Sequence, residues 1–239
     1  MERLTADGWR RARLTARHAQ TPSGFTLLLD TPSWPGHLPG QHVDVRLTAD
    51  DGYQAVRSYS LAAPADGARI ELGVQDVPDG EVSAYLVHDL PVGADVEVRG
   101  PLGGWFRWDP RQEGPVLLAA GGCGIVPLMA MVRANYAGAA AVPMHLTYSV
   151  RDPDQVWYRD ELAAAQQRGL GVTYVHTRRS PDGRPAARIG AGDLVTALGA
   201  DLGDLRCFVC GPTGFVERAA ELLVDGGHPP GTIRTERFG

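Results

Sequence analysis

Four consecutive residues, Arg57-Ser58-Tyr59-Ser60, place a cation, an aromatic ring and two hydroxyl groups beside an apolar segment. Alternate side chains of a β-strand share a face, so a strand here would point Arg57 and Tyr59 the same way. A guanidinium next to a flat ring suits a ligand that joins a phosphate to an aromatic system. Ser60 would add a hydroxyl and a backbone amide at the strand end. The alternative is an ordinary amphipathic strand that binds nothing.

The segment formed by Gly80, Glu81, Val82 and Ser83 leads into the helix predicted in the first half of the chain. Free amides and the positive end of the helix dipole attract anions there. The alternative is a helix cap, with Ser83 or Asp79 as the capping residue, and these residues alone favour the cap. Together with Arg57, the segment favours a phosphate site.

Two segments lie where a predicted strand ends and a predicted helix begins. They are Gly121-Gly122-Cys123-Gly124-Ile125 and Cys210-Gly211-Pro212. Open α/β sheets bind dinucleotides at such turns, because glycine allows close approach and the helix N-terminus faces the pyrophosphate. The first segment lacks the G-x-G-x-x-G spacing, so a tight turn without a ligand is an equal alternative. For Cys210 the alternative is a buried apolar residue.

Thr177 and Arg178 follow the third predicted strand of the second half, and an arginine there suits bidentate phosphate contacts. The alternative is a solvated basic loop, which is the interpretation we adopt for Arg179 and Arg184. The seven histidines show no metal-ligand spacing, and three cysteines cannot supply the four thiolates of an iron–sulfur cluster. We therefore expect no metal site.

Two kinds of periodicity divide the chain. Six short segments with alternating apolar residues and intervening turns predict a closed antiparallel barrel of six β-strands, interrupted by a helix over residues 82–89. After a boundary rich in Gly, Pro and Trp, strands alternate with helices, which predicts a Rossmann-like parallel α/β sheet. We assign residues 1–108 to the barrel domain and 109–239 to the α/β domain.

Composition excludes several classes of protein. The 239 residues suffice for one large or two modest domains, and the net charge of −5 gives no basic surface for nucleic acid. The N-terminus lacks the apolar core of a signal peptide, and no apolar run is long enough to span a bilayer. We therefore expect a cytoplasmic protein with no nucleic acid partner and no membrane insertion.

The order of these motifs resembles that of the ferredoxin–NADP reductase superfamily of two-domain flavoenzymes. The series also includes Pro39-Gly40-Gln41, Gly100-Pro101-Leu102-Gly103 and the terminal Glu236-Arg237-Phe238-Gly239, so the resemblance spans nearly the whole chain. The sequence looks most similar to short bacterial members without an iron–sulfur domain. The resemblance implies an FAD-binding barrel, with FMN as the alternative, and a domain that binds NADPH, with NADH as the alternative.

The resemblance also implies roles for individual residues in binding the flavin. Arg57 and Ser83 would hold the flavin phosphates, Tyr59 would pack on the isoalloxazine, and Ser60 would sit near N5 and assist hydride transfer. The remaining flavin-lining positions that it implies are Ser58, Gly73, Val74, Gly80 and Val82. Gln75 stands where relatives often have Lys or Arg, which removes one phosphate contact to the pyridine nucleotide.

A second set of implied roles concerns the nicotinamide and the C-terminus. Cys210 would lie beside the nicotinamide ring, with Gly211 and Pro212 shaping its pocket and the residues from Gly121 to Ile125 around the nucleotide. Thr177 and Arg178 would receive the 2′-phosphate of NADPH. Phe238 would cover the flavin, and Glu236 would act as a proton or electrostatic partner. Cys123 replaces the usual Thr or Ser, and a thiol is a poorer hydrogen-bond partner.

The function implied is an NAD(P)H oxidoreductase. Hydride would pass from NADPH to FAD, and single electrons would pass on to a ferredoxin or another iron–sulfur or haem acceptor, because side chains do not perform this chemistry unaided. Ser60, Cys210 and Glu236 would be the catalytic residues. One alternative is a reductase that uses free flavin as its substrate. Another is a non-catalytic nucleotide-binding or electron-transfer subunit.

Overall fold

The computed structural model describes residues 8–138, 141–181, 185–194 and 204–238. They form one antiparallel sheet of six strands and one parallel sheet of five. The predicted division at residues 108 and 109 falls in the connection between Asp95–Leu102, the last strand of the first sheet in chain order, and Val116–Gly121, the first of the second. The division itself stays a prediction.

The first sheet is the predicted antiparallel barrel. Its strands are β1 (Arg10–Thr21), β2 (Gly24–Asp30), β3 (His42–Thr48), β4 (Gln54–Ser60), β5 (Arg69–Gln75) and β6 (Asp95–Leu102). They pair in the order β4-β3-β6-β1-β2-β5, so β4 and β5 are the edges. An antiparallel bridge between Leu61 and Leu72 joins the two edges just beyond β4, which curls the sheet into a barrel.

Alternating apolar residues fill the barrel, as their period of two requires. Val43 and Val45 of β3, for example, are fully buried in it. Helix α1 (Glu81–Ala84) continues as a π-helical turn over Tyr85–Asp89, which together match the predicted helix. It packs Val82 into the barrel core and thereby fixes its N-terminus beside β4.

The second sheet has the strands β7 (Val116–Gly121), β8 (Met144–Val150), β9 (Gly171–His176), β10 (Arg206–Pro212) and β11 (Ile233–Phe238). All pairs are parallel, in the order β11-β10-β7-β8-β9. The chain winds outward in opposite directions from β7 and β10. The crevice at their carboxyl ends is therefore the topological switch point, where such sheets bind ligands.

Helices connect these strands. They are α2 (Ile125–Ala137), α3 (Arg159–Gln167), α4 (Ala191–Leu194) and α5 (Thr213–Asp225), and a 3₁₀ turn over Gly122–Gly124 precedes α2. The sequence predicted a helix over residues 193–198, of which residues 195–198 lie outside the described residues. No helix within the described ranges has both the length and the apolar character needed to cross a membrane.

One apolar cluster joins the two sheets. Ala62, Phe106 and Trp108 from the first half of the chain pack in it with α2, β8 and β10. Arg133 of α2 reaches across the junction, where its Nη1 donates to the carbonyl of Ala62 at 2.9 Å and to Glu71 Oε1 at 2.6 Å. We call the apolar cluster the junction cluster. It sets the position of the barrel against the carboxyl ends of β7 and β10.

Candidate active site between the two sheets

Arg57 and Tyr59 share one face of β4, an edge strand of the barrel. The Arg57 side chain is exposed, and its Nη1 donates to the carbonyl of Val56 at 2.8 Å. Burial raises the pKa of Tyr59 to about 12, while the charge of Arg57 acts in the opposite direction. The other guanidinium donors of Arg57 have no partner among the described residues and remain available to a ligand.

Ser58 and Ser60 lie on the opposite face of β4. Ser58 Oγ donates to Asp44 Oδ1 at 2.7 Å, so this hydroxyl is engaged within the barrel sheet. Ser60 is buried, and its Oγ has no hydrogen-bond partner among the described residues. An unpaired buried hydroxyl costs about 1–3 kcal/mol. Ser60 therefore fits a site at which a bound group completes its hydrogen bonding.

The start of α1 is not capped by a side chain. Its N-cap is Gly80, and no side-chain hydrogen bond reaches the first turn, so the interpretation with Ser83 or Asp79 as the cap is wrong. Ser83 is buried and its Oγ donates weakly to the carbonyl of Gly80 at 3.4 Å. Val82 is buried in the barrel and offers a ligand only its backbone. The first-turn amides therefore remain available to an anion.

Gly73 and Val74 of β5 are covered by protein. Val74 is fully buried in the barrel core, and a Cβ at Gly73 would lie 2.3 Å from Val126 Cγ2 of α2. Gly73 therefore allows α2 to approach the barrel. Gln75 Nε2 donates to Ser23 Oγ at 2.7 Å, which ties the amide to the β1–β2 turn. These contacts leave only the backbone groups of Gly73 and Val74 for a flavin.

The two glycine-containing turns of the second sheet pack on each other. A Cβ at Gly124 would lie 2.1 Å from the carbonyl oxygen of Cys210, and one at Gly211 would lie 2.9 Å from the Cα of Gly121. Gly122 differs, because its φ is +53° and no atom lies within 4 Å of an added Cβ. Gly121, Gly124 and Gly211 thus serve protein packing, while Gly122 leaves space in front of the α2 N-terminus.

Cys210 and Glu236 are register partners on β10 and β11. Burial raises the pKa of Cys210 well above its usual value, and it raises the pKa of Glu236 to about 7. Glu236 has neither a hydrogen bond nor an ion pair to another described side chain. Cys123 is half-buried and packs against the junction cluster, to which the buried residues Ile125 and Cys210 belong. The site thus combines a neutral thiol with a carboxyl that exchanges protons near neutral pH.

The junction cluster contains residues from both halves of the chain. Ala62, two residues beyond Ser60, and Cys210 are both buried in it. Phe238 of β11 is half-buried and packs against the cluster, and it is the register partner of the exposed Pro212. The junction cluster therefore includes residues from the segment after β4 and from β10, and the assembly of Ser60, Cys210, Glu236 and Phe238 into one site stays a prediction.

A cavity of about 470 Å³ opens at the carboxyl ends of β8, β9 and β10. Its lining consists of Ser149, Thr177, Arg188, Ile189, Pro212, Gly214, Phe215 and Arg218. Thr177 and Pro212 were predicted from the sequence as site residues, whereas Ser149, Phe215 and Arg218 were not. The position of Ser149 at the end of a parallel strand, and the three-residue spacing of Phe215 and Arg218 on α5, were the available signals.

From the sequence, Arg178 was predicted to contact a phosphate, whereas Arg179 and Arg184 were interpreted as parts of a solvated loop. Arg178 is exposed and does not contribute to the cavity lining. Arg179 forms ion pairs with Asp152 and Asp154, which fits a solvated loop. Arg184 lies outside the described residues. A larger cavity of about 1190 Å³ lies beside α1, and Glu81 is the residue of the predicted phosphate segment that lines it.

Two family models match the chain. Residues 17–107 match the oxidoreductase FAD-binding domain, and residues 118–221 match the oxidoreductase NAD-binding domain. The two matched segments contain the barrel motifs and the glycine-containing turns, respectively.

Curated relatives are longer than this chain. It is 35% identical over 207 residues to the ferredoxin–NAD(P)(+) reductase component of the naphthalene 1,2-dioxygenase/salicylate 5-hydroxylase systems of Ralstonia sp., covering 84% of this chain and 60% of the relative. It is 30% identical over 251 residues to a flavohemoprotein of Burkholderia sp., covering 100% and 62%. The chain thus spans about 60% of the length of these relatives.

Solved structures share the fold. The FAD/NAD-binding domain of a nitric oxide dioxygenase from Vibrio cholerae superposes with a TM-score of 0.84 at 22% identity, covering 96% of this chain and 98% of that one. A ferredoxin NADP+ reductase from Neisseria gonorrhoeae, solved with FAD and NADP, gives 0.82 at 20% identity and covers 96% and 98%. At these identities the likeness concerns the fold alone.

Proposed function

The chain belongs to the ferredoxin–NADP reductase superfamily of FAD- and NAD(P)-binding oxidoreductases, and from this premise we propose that it carries electrons from NADPH by way of FAD to a ferredoxin or another iron–sulfur or haem protein. The proposal rests on the junction cluster, to which Ala62, two residues beyond β4, and Cys210 of β10 both belong and against which Phe238 of β11 packs. This arrangement supports direct contact between a flavin held by the barrel and a nicotinamide held by the second sheet.

The barrel residues fit the flavin. Arg57 and the uncapped first turn of α1, from Gly80 to Ser83, would hold its phosphates. Tyr59 would supply a flat surface, and the unpaired hydroxyl of Ser60 would find a partner. The flavin, when bound, supplies the conversion of a two-electron donor into single electrons, which side chains do not provide.

The residues of β10 and β11 would manage protons and exclude water. The Glu236 carboxyl, with its pKa near 7, would take up or release a proton at its oxygens without a large energetic cost. Cys210 would present a neutral thiol, because burial keeps its pKa high. Phe238 would cover the site from the C-terminal side. We therefore propose Ser60, Cys210 and Glu236 as the catalytic residues.

The cavity at the end of the second sheet would hold the adenosine part of the pyridine nucleotide. Thr177, Arg188 and Arg218 line it, and Arg178 follows Thr177 in the chain. Two arginines in one cavity favour a ligand with an additional phosphate. This composition supports NADPH over NADH.

We also propose that the protein works in the cytoplasm. Its three cysteines, Cys123, Cys207 and Cys210, are all free thiols. Free thiols suit a reducing compartment.

The test is the visible absorption spectrum of the purified protein under anaerobic conditions. A yellow protein that bleaches with one equivalent of NADPH, and recovers when oxidised ferredoxin is added, would support the proposal. A colourless protein that oxidises NADPH only with added free flavin would replace it with a free-flavin reductase. Bound flavin without any reaction with NADPH or NADH would leave a non-catalytic subunit.

A further inference from the structure

One arginine spans the junction between the two sheets. Arg133 lies on α2, and only 20% of its side chain is exposed. Toward the barrel, its Nη1 donates to Glu71 Oε1 at 2.6 Å and to the carbonyl of Ala62 at 2.9 Å. Toward α3, its Nε and Nη2 donate to the two carboxylate oxygens of Glu161 at 2.8 and 2.7 Å. Its guanidinium carbon also lies 5.1 Å from the ring centroid of Tyr158. Every guanidinium nitrogen therefore has a partner, and the partners belong to both halves of the chain.

The backbone beside this arginine is held in an unusual conformation. Tyr158 has a φ of +55°, in the left-handed region, which a residue other than glycine keeps only where the surrounding contacts hold it. Those contacts also cross the junction. The amide of Tyr158 donates to Gln20 Oε1 of β1 at 3.2 Å, and a Cβ at Gly24 would lie 2.2 Å from Trp157 Cζ2. The segment before α3 is therefore fixed against β1 and β2, and the guanidinium lies between fixed partners.

On the barrel side, Arg133 holds the segment that follows Ser60. Ala62 lies two residues beyond Ser60, and its amide donates to the carbonyl of Glu71 at 2.8 Å. The carbonyl of Ala62 accepts from Arg133, so β5 engages one backbone group of this residue and the guanidinium engages the other. The Glu71 side chain is only 14% exposed, and loss of the guanidinium would leave its carboxylate largely buried without an ion pair.

On the other side, the same arginine is connected to the glycine-containing turns of the second sheet. The 3₁₀ turn over Gly122–Gly124 leads directly into α2, the helix that carries Arg133. A Cβ at Gly124 would lie 2.1 Å from the carbonyl oxygen of Cys210, so this turn and the end of β10 are in direct contact. One helix therefore links the guanidinium to the region proposed to bind the nicotinamide nucleotide.

We propose that Arg133 is a positioning residue for hydride transfer, which holds the segment after Ser60 at a fixed place relative to α2 and so sets the separation between flavin and nicotinamide. This inference rests on the proposed function. Hydride transfer breaks a C–H bond of the reduced nicotinamide and forms an N–H bond on the flavin, so two electrons and one proton pass from the first to the second. Such a step is sensitive to the distance between the reacting atoms. Arg133 itself touches neither of them in this proposal.

The experiment follows reduction of the flavin in the holoenzyme by NADPH without oxygen, using stopped-flow absorbance. Arg133→Gln and Glu71→Gln each break the connection to the barrel, and each should lower the limiting rate at saturating NADPH by roughly tenfold or more. The NADPH concentration that gives half the limiting rate should stay nearly unchanged, because no nucleotide contact is removed. Reduction of the same variants by dithionite, which needs no nicotinamide, should keep the wild-type rate.

Glu161→Gln and Arg168→Gln are the matched controls. Glu161 binds the same guanidinium from α3, so its loss leaves the contacts of Arg133 with the barrel in place. Arg168 makes similar contacts within the second half of the chain, since its Nη2 donates to the carbonyl of Tyr136 and its guanidinium carbon lies 5.1 Å from that ring centroid. Both variants should keep nearly the wild-type limiting rate.

A second measurement tests the positioning without any turnover. Hydrogen exchange of the Ala62 amide is measured by NMR on the protein as purified, with no nucleotide added. This amide should exchange roughly tenfold or more faster in Arg133→Gln than in the wild type, because the segment after Ser60 would open more often. In Arg168→Gln the exchange rate should not change.

The outcomes separate this inference from the proposed function. A wild type whose flavin neither NADPH nor NADH reduces would overturn the proposed function, and the exchange rates would still show whether Arg133 holds the segment. A wild-type limiting rate in Arg133→Gln, or equal losses with NADPH and dithionite, would overturn the positioning role. If Arg133→Gln does not fold, Glu71→Gln decides against Glu161→Gln, and equal rates in these two variants would overturn it as well.

Discussion

Glu236 lies opposite Cys210 in the parallel register of β10 and β11, and burial raises the pKa of both groups. The pKa of Glu236 reaches about 7, whereas that of Cys210 stays well above its usual value. The carboxyl therefore changes charge near neutral pH beside a thiol that remains protonated. One member of the pair exchanges protons, and the other keeps a neutral surface.

The raised pKa of Glu236 predicts a pH-dependent stability. The carboxyl ionises near pH 4.5 in the unfolded chain and near pH 7 in the folded one, so the folded state binds more protons in between. The free energy of unfolding should therefore fall as pH rises from about 4.5 to 7, by at most about 3 kcal/mol, and level off above it. Urea unfolding of the flavin-free protein between pH 5 and 8 measures this decline, which Glu236→Gln should remove.

The control for this experiment is Glu217→Gln, which changes an exposed glutamate on α5. This variant should keep the decline of the wild type, because an exposed carboxyl gains little from folding. If Glu236→Gln declined as steeply as the wild type over the same range, another group would be responsible for the pH dependence.

Ser60 and Ser58 should respond in opposite ways to loss of their hydroxyls. Ser60 Oγ has no partner among the described residues, so Ser60→Ala should leave the flavin-free protein as stable as the wild type or slightly more stable. The same variant should slow NADPH oxidation by the flavin-loaded enzyme roughly tenfold or more, because a positioned hydroxyl would be lost. Stopped-flow absorbance measures the rate.

Ser58→Ala is the matched control. Its hydroxyl donates to Asp44, so removing it should cost about 1 kcal/mol of stability and leave the reduction rate nearly unchanged. The assignment of Ser60 would be lost if both variants slowed the reaction equally.

Periodicity was sufficient to predict the architecture. Alternation along β1 to β6 indicated an antiparallel barrel, and the change to strand–helix repeats after residue 111 indicated the parallel sheet. The strand-end positions of Ser60 and Cys210 were predictable for the same reason, because strand ends follow from turn residues. These are local signals, which a sequence carries directly.

The contacts between distant segments were not predictable in this way. No spacing shows that Gly124 must be a glycine because Cys210, 86 positions later in the chain, presses its carbonyl against it. Arg218 was missed for a similar reason, since it reaches the cavity from α5. The helix cap was also predicted wrongly. The Ser83 hydroxyl donates to the carbonyl of Gly80 in its own turn and does not cap the helix.

Gly124 should be intolerant of any side chain. A Cβ there would meet the Cys210 carbonyl at 2.1 Å, which only backbone movement could relieve, so Gly124→Ala should lower the free energy of unfolding by about 3 kcal/mol. Gly214→Ala is the comparison, because nothing lies within 4 Å of its Cβ and alanine favours the helix. That variant should be neutral or stabilised by up to about 1 kcal/mol. Urea unfolding of both checks the packing of the two turns, and equal losses would contradict it.

The arginines at the cavity should determine the preference for NADPH. Arg218 lines the cavity, and a charge-assisted phosphate contact there would be worth about 1.5–3 kcal/mol, so Arg218→Ala should raise KM for NADPH roughly tenfold or more. Arg178 is exposed, so Arg178→Ala should raise it only about threefold. Neither change should alter KM for NADH, which lacks the 2′-phosphate.

Arg179→Ala, which removes an arginine already paired with Asp154, is the control and should affect neither nucleotide. Steady-state kinetics with both nucleotides measures the ratio, and parallel increases for NADPH and NADH would show that these arginines hold the shared part of the nucleotide instead.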